Sequence, residues 1–233
     1  MPDWRLDMMC GIFIACSIFG WAIESTFQTI KGEGGFVNAG LLRGPVVPIY
    51  GFAALAISIA DDLMGFLAFP LRAAVFALLC TIIEYFVGFL FESLFKVRLW
   101  DYSDQKFNLH GRICLSFTAI WMVLAALFIG IIRPILEKGL GTILEHPAAG
   151  LLLTSCCLLM AADAAKSIAE LSSISVFIKK LRMRLGTLDF SALRTAAWKV
   201  KYRLVLAFPN TRRIIANLFA KDLLSRSEKD GDK

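Results

Sequence analysis

Histidine is nearly missing from this sequence: His110 and His146 are the two among 233 residues. Neither sits in an H-E-x-x-H pattern, which excludes the usual zinc-protease signature. Cysteine occurs six times, at Cys10, Cys16, Cys80, Cys114, Cys156 and Cys157, but never as C-x-x-C. A zinc site or a disulfide framework is therefore unsupported. The cysteines lie within or at the ends of apolar runs and read as small, soft packing residues. No G-x-x-x-x-G-K-S/T phosphate loop and no G-x-S-x-G elbow occurs, so the chain carries neither an ATPase nor a serine-hydrolase motif. The start, MPDWRLDMM, lacks the basic region that opens a secretory signal. Charge is scarce as well: 19% of residues are charged, against about 25% in soluble domains. These absences predict a protein that is not an enzyme and needs no cofactor or metal.

Apolar residues take the place of what is missing. They form 58% of the chain, with nineteen Phe, where about 45–50% is usual. Mean hydropathy is +0.67. A span needs about 20 mostly apolar residues, and residues 8–30, 66–95, 113–136 and 147–168 each supply such a run. Residues 46–60 supply only a short one, opened by Gly44, Pro45, Pro48 and Gly51. That stretch reads as a short span with a broken start or as a re-entrant segment, since irregular backbone at membrane depth needs protein or water to satisfy it. The predicted fold class is all-α: a polytopic membrane helix bundle of about five transmembrane helices with a short or broken second span. The transmembrane domain is predicted over residues 8–168, followed by a basic cytoplasmic tail over 169–233.

Charge asymmetry sets the orientation. Residues 166–233 hold fifteen of the twenty-five Lys and Arg. With five full spans, twenty-one of the twenty-five fall on the side of the tail and the 96–112 loop. A re-entrant second segment changes that to twenty, so the bias does not separate the two topologies. Both place the loop and the C-terminus in the cytoplasm of a bacterial cell membrane. In the tail, Ile174, Phe177, Ile178, Leu181, Leu185 and Leu188 recur at helical spacing between basic residues. Ser191 and Asn210 can cap further helices. Basic amphipathic helices of this kind lie on anionic lipid. Docking to a partner protein is the competing use, and nucleic acid is not expected.

Carboxylates inside spans cost about 2.5–3.5 kcal/mol each on insertion scales, so each asks for a partner. Glu24 shares a helical face with Ser17, Gly20 and Gln28. Glu84 shares one with Cys80, Thr81 and Gly88, and Asp163 one with Cys156, Ser167 and Glu170. These three acids are predicted to converge on a polar pocket facing the cytoplasm. Arg43, Arg112 and the loop residues Trp100, Asp101, Tyr102 and Asp104 are predicted to roof it. The plainer alternative is an ion-pair network that only ties loops to helix ends. Asp101 and Asp104 are also expected to form turns, with Gly111 allowing a tight bend before the next helix.

Two stretches carry a family resemblance. "GLLRGPVVPIYG" at 40–51 and "IEYFVGFLFESLFKVRLWDYSDQKFNLHGRICLSF" at 83–117, with His146–Pro147 and Asp163, resemble the bacterial family called putative ABC-transporter type IV, the CmpB-like permeases. The resemblance covers residues 10–168. The matching positions are Gly44, Pro45, Pro48, Tyr50, Gly51, Glu84, Tyr85, Trp100–Asp104, Asn108, Gly111, Arg112 and Asp163. Arg43, His110 and Ser116 depart from the pattern. The resemblance implies a permease-type transport component for a small solute, with Tyr50 and Asn108 added to the candidate site. Its partners would be the lipid bilayer and a separate ATPase subunit or further copies of itself. A non-transporting scaffold or regulator acting through the tail is the second reading, and an intramembrane lipid-modifying enzyme the third.

Overall fold

A computed structural model of the chain describes residues 4–31, 36–95 and 98–184. The helices expected at Ser191 and Asn210, and the side chains of the predicted apolar stripe from Ile174 onward, lie outside the described residues. The elements run α1 (Trp4–Lys31), α2 (Pro48–Leu63), α3 (Phe69–Phe95), β1 (Asn108–Leu109), β2 (Ile113–Cys114), α4 (Leu115–Leu127), α5 (Arg133–Leu144) and α6 (Ala149–Arg184). A π-helical turn, Phe128–Ile132, joins α4 to α5. The strands pair antiparallel as a two-residue ladder, so the fold is all-α.

Four helical stretches are long and apolar enough to cross a membrane: Trp4–Ile30, Phe69–Phe95, Leu115–Leu144 and Ala149–Ser172. At 16 residues, α2 is about 24 Å long and stays short of a full span. Pro48 opens it, where a missing N–H costs nothing. The π turn has a local cause. Pro134 cannot donate to the carbonyl one turn back, and the helix widens just ahead of it.

The chain divides into two units, Met1–Val87 with Tyr102–Glu170, and Gly88–Asp101 with Leu171 onward. In the first unit the core is built from Ile12, Cys16, Ala53, Ala54, Ile57, Phe76, Ala77, Cys80, Trp121, Ala125, Phe128, Ile129 and Leu140. Six of these thirteen are Ala or Cys, which lets helices approach closely. Large apolar side chains such as Phe19, Phe52, Leu78, Phe86, Val123 and Leu151 point outward. A water-soluble domain would bury them; a lipid-facing surface needs them exposed. In the second unit, Arg98 folds back onto Glu92 and Asp101, with N–O distances of 3.1 Å to each. Phe91 and Phe95 meet one turn apart with tilted rings, centroids 5.4 Å.

The α1–α2 contact rests on two glycines. A Cβ on Gly51 would lie 2.7 Å from the Phe13 carbonyl oxygen and 2.6 Å from its ring. A Cβ on Gly20 would lie 2.6 Å from the Tyr50 Cβ. Because backbone cannot yield as a side chain can, Gly51→Ala is expected to cost about 2–3 kcal/mol. A fall in the melting temperature of the detergent-solubilised protein measures it; an unchanged melt would mean that α2 does not sit against α1.

Candidate functional site

The segment between α1 and α2 makes the site possible. Residues 36–47 form neither helix nor strand, yet Ala39, Leu42 and Val46 are buried. Buried backbone of this kind must find hydrogen-bond partners. Val37 N donates to Thr29 Oγ1 at 3.0 Å and Ala39 N to Ser25 Oγ at 3.1 Å. Val47 N donates to the Ser17 carbonyl at 2.9 Å. Asn38 accepts from Trp21 Nε1 at 2.6 Å and donates to the Arg43 carbonyl at 3.3 Å. From α6, Asp163 Oδ2 accepts from the amides of Arg43 at 2.8 Å and Gly44 at 3.1 Å. The Arg43 guanidinium pairs with Glu170. The irregular start of α2 is thus held by side chains of α1 and α6.

That anchoring places Tyr50, in the first turn of α2, beside Glu24 of α1. Tyr50 Oη donates to Glu24 Oε2 at 3.3 Å, and Gln28 Nε2 donates to Glu24 Oε1 at 2.9 Å. The Tyr50 ring lies 5.4 Å from that of Trp121 in α4. Trp121 Nε1 in turn donates to Glu84 Oε2 at 2.9 Å. The second oxygen of Glu84 accepts from Tyr102 Oη at 3.0 Å. Tyr102 stacks on Phe117 with centroids 4.4 Å apart. Five segments therefore meet through Glu24, Tyr50, Glu84, Tyr102 and Trp121.

Glu84 is the one charged side chain among the buried described residues, at 5% exposure. It bonds only to the neutral donors Tyr102 and Trp121. The Tyr102 phenol is pushed well above its ordinary range, first by burial, then by the charge and hydrogen bond of Glu84, then by the charges of Glu24 and Tyr50. It stays a proton donor at any physiological pH.

The other candidate residues are placed differently. Asp163 makes no bond to this group, because its carboxylate holds the loop amides. Arg43 faces Glu170 rather than Glu24 or Glu84. Arg112 donates to Tyr85 Oη at 3.2 Å and lies 5.3 Å from the Tyr85 ring centre. His110 Nδ1 meets the same hydroxyl at 3.1 Å. Asn108 shapes the loop: its Nδ2 donates to the carbonyls of Ser103 at 3.2 Å and Gln105 at 2.8 Å, and its Oδ1 accepts from Gly111 N at 3.1 Å. The turn expected at Asp104 is present, closed by Gln105 N donating to the Tyr102 carbonyl at 2.8 Å; the Asp104 side chain stays exposed, and Asn108 supplies the side-chain bonds. Positive φ at Phe107, His110 and Gly111 marks the tightness of the hairpin. Trp100 and Asp101 belong to the second unit, where Asp101 pairs with Arg98.

Trp121 and a second charged cluster were not singled out from the sequence. A Trp well inside a predicted span, far from the interface belt, is the signal that could have found Trp121. In the cluster, Arg133 of α5 reaches Asp61 at 3.1 Å, Asp62, and Glu137 at 2.7 Å, and donates to the Ser58 carbonyl at 3.2 Å. Arg72 of α3 also holds Asp61, at 2.6 Å. An arginine inside FIGIIRPIL was the available signal. Arg133→Gln is expected to cost about 2 kcal/mol, below the usual loss for a buried pair because Asp61 keeps Arg72. Asp62→Asn, at the 62% exposed end, is expected to change stability by less than about 0.5 kcal/mol. Comparing the two melting temperatures checks both.

The family model described as "Putative ABC-transporter type IV" matches residues 11–168. The chain belongs to this family. No curated protein and no solved structure matches it. The matched span takes in Glu24, Tyr50, Glu84, Tyr102, Trp121 and Asp163, and ends before Glu170 and the basic tail. With its four long apolar helices, this member of the family is a multi-pass membrane protein with a transport-related role.

Proposed function

We propose that the chain is the permease-type, membrane-embedded component of a bacterial transport system, and that Glu24, Tyr50, Glu84, Tyr102 and Trp121 bind its small solute. The observation that carries this reading is Glu84, buried and bonded only to two neutral aromatic donors. An intramembrane carboxylate without a basic partner is costly and marks a ligand or proton pathway far more often than a structural joint. The irregular 36–47 segment supports the reading too, since broken helices at membrane depth accompany solute sites.

Charge bias supports a cytoplasmic side for the 96–112 loop and for the C-terminus. The sequence holds no phosphate-binding loop, so ATP-driven movement calls for a separate ATPase subunit docked from that side. Anionic lipid would hold the tail. The test is an uptake screen of labelled solutes with the reconstituted full-length protein and its ATPase partner. Uptake of one solute class, lost in Glu84→Gln with normal insertion, is the expected outcome. Uptake that survives Glu84→Gln and Glu24→Gln alike overturns the site. A second reading, a scaffold acting through its tail, rests on the fifteen basic residues of 166–233. It gains if deleting the tail removes the cellular phenotype while both Gln variants keep it.

A further inference from the structure

From Leu63 to Leu71 the chain reads LMGFLAFPL, with no charged or polar side chain. Leu63 ends α2 and Phe69 opens α3, so this stretch is the turn of a helical hairpin. Turns in water are ordinarily rich in Asn, Asp and Ser. Here Phe66, at the tip, is 81% exposed and Leu63 72%. A contiguous exposed apolar patch marks contact with a membrane or with another protein.

Three observations decide between the two. The turn continues the lipid-facing surface of both helices. α2 exposes Phe52, Ile59 and Leu63, and α3 exposes Leu71, Leu78 and Ile82. Each set is spaced i, i+7, i+11, along one side of its helix, and Phe66 lies between their ends. The turn also bonds its own backbone. Met64 N donates to the Ala60 carbonyl at 2.9 Å, Leu67 N to that of Met64 at 2.9 Å, and Leu71 N and Arg72 N to that of Ala68 at 3.0 Å. Pro70 has no N–H to satisfy. Lipid offers a backbone amide no partner, whereas water does. Finally, the charges at the base of the turn face one another. Arg72 holds Asp61 across it at 2.6 Å, and Arg133 holds both Asp61 and the more exposed Asp62. Ions beside hydrocarbon need such pairing, and ions in water do not.

We infer that the α2–α3 turn lies in phospholipid rather than in water, within the leaflet at the far end of α3 from the β1–β2 hairpin. Lipid covers Leu63 and Phe66 as it covers the helix stripes that lead to them. The 16 residues of α2 then need to reach only from the irregular 36–47 segment to an embedded turn. That accounts for a helix of about 24 Å in a core of about 30 Å. This placement holds whether or not the chain moves a solute.

The test uses the purified full-length protein in nanodiscs, where both faces meet the buffer. Phe66→Trp adds one fluorophore at the tip, read as the difference from the unsubstituted protein. Phospholipids with brominated acyl chains should quench this added emission, and iodide in the buffer should not. In parallel, Phe66→Cys should react with a membrane-impermeant maleimide at least tenfold more slowly than Lys106→Cys, on the exposed polar turn of the β-hairpin. Label on the native cysteines is subtracted from both. Quenching by iodide puts the tip in water, and quenching by neither reagent puts it under protein. Either result overturns the inference, as does a maleimide rate less than tenfold below that of Lys106→Cys.

Discussion

Glu84→Gln is expected to abolish uptake, by at least a hundredfold, while the protein melts at the same temperature or higher. The two halves of that result have one cause. Glu84 receives two hydrogen bonds, at 3.0 Å from Tyr102 and 2.9 Å from Trp121. Bonds to a charged acceptor contribute about 1.5–3 kcal/mol each, and neutral ones about 1. Losing the charge therefore removes about half of that gain. Against it stands the desolvation of an ion at 5% exposure, which is several kcal/mol and is not offset by an opposite charge. The second effect is at least as large as the first, so stability holds or rises. A residue kept at a cost to stability is kept for function. A drop of several degrees in the melting temperature with uptake intact would make Glu84 a structural acceptor and nothing more.

The largest loss of stability is expected at Asp163. Its Oδ2 accepts from two successive amides, those of Arg43 and Gly44, at 2.8 and 3.1 Å. Asp163→Ala leaves both half-buried donors with no acceptor in the protein, at about 3–5 kcal/mol for two charge-assisted bonds. Asp163→Asn keeps one acceptor oxygen and should lose about half as much. The damage should be local first. Residues 36–47 form neither helix nor strand, so their order rests on these side-chain bonds. Limited proteolysis in nanodiscs should cut between Phe36 and Val47 in Asp163→Ala before it cuts anywhere in the long helices. If that segment stays protected, the Thr29, Ser25 and Ser17 bonds suffice to hold it, and Asp163 has another task. Solute binding should weaken in the same variant, since Tyr50 is positioned by what precedes it.

What the sequence by itself determined is the part governed by local composition. Runs of about 20 apolar residues can satisfy their backbone in lipid only as helices. That made the four long helices and the all-α class readable, together with the short, proline-opened α2. The same local logic put Glu24 on a stripe with Gln28, and these two do bond. What only the tertiary structure decided is which side chain each buried acid meets. Glu24, Glu84 and Asp163 look alike along the chain, each an acid on a small-residue stripe. Their fates diverge because partners come from segments far away in sequence: Trp121 lies 37 residues from Glu84, and Gly44 lies 119 from Asp163. Hydrogen bonding is short-ranged and directional, so helical periodicity names a face but not the group opposite it. That is why Asp163 holds a loop, the Arg133 cluster escaped notice, and the aromatic enclosure of Glu24 and Glu84 emerged only once α1, α2, α3, α4 and the hairpin were brought together.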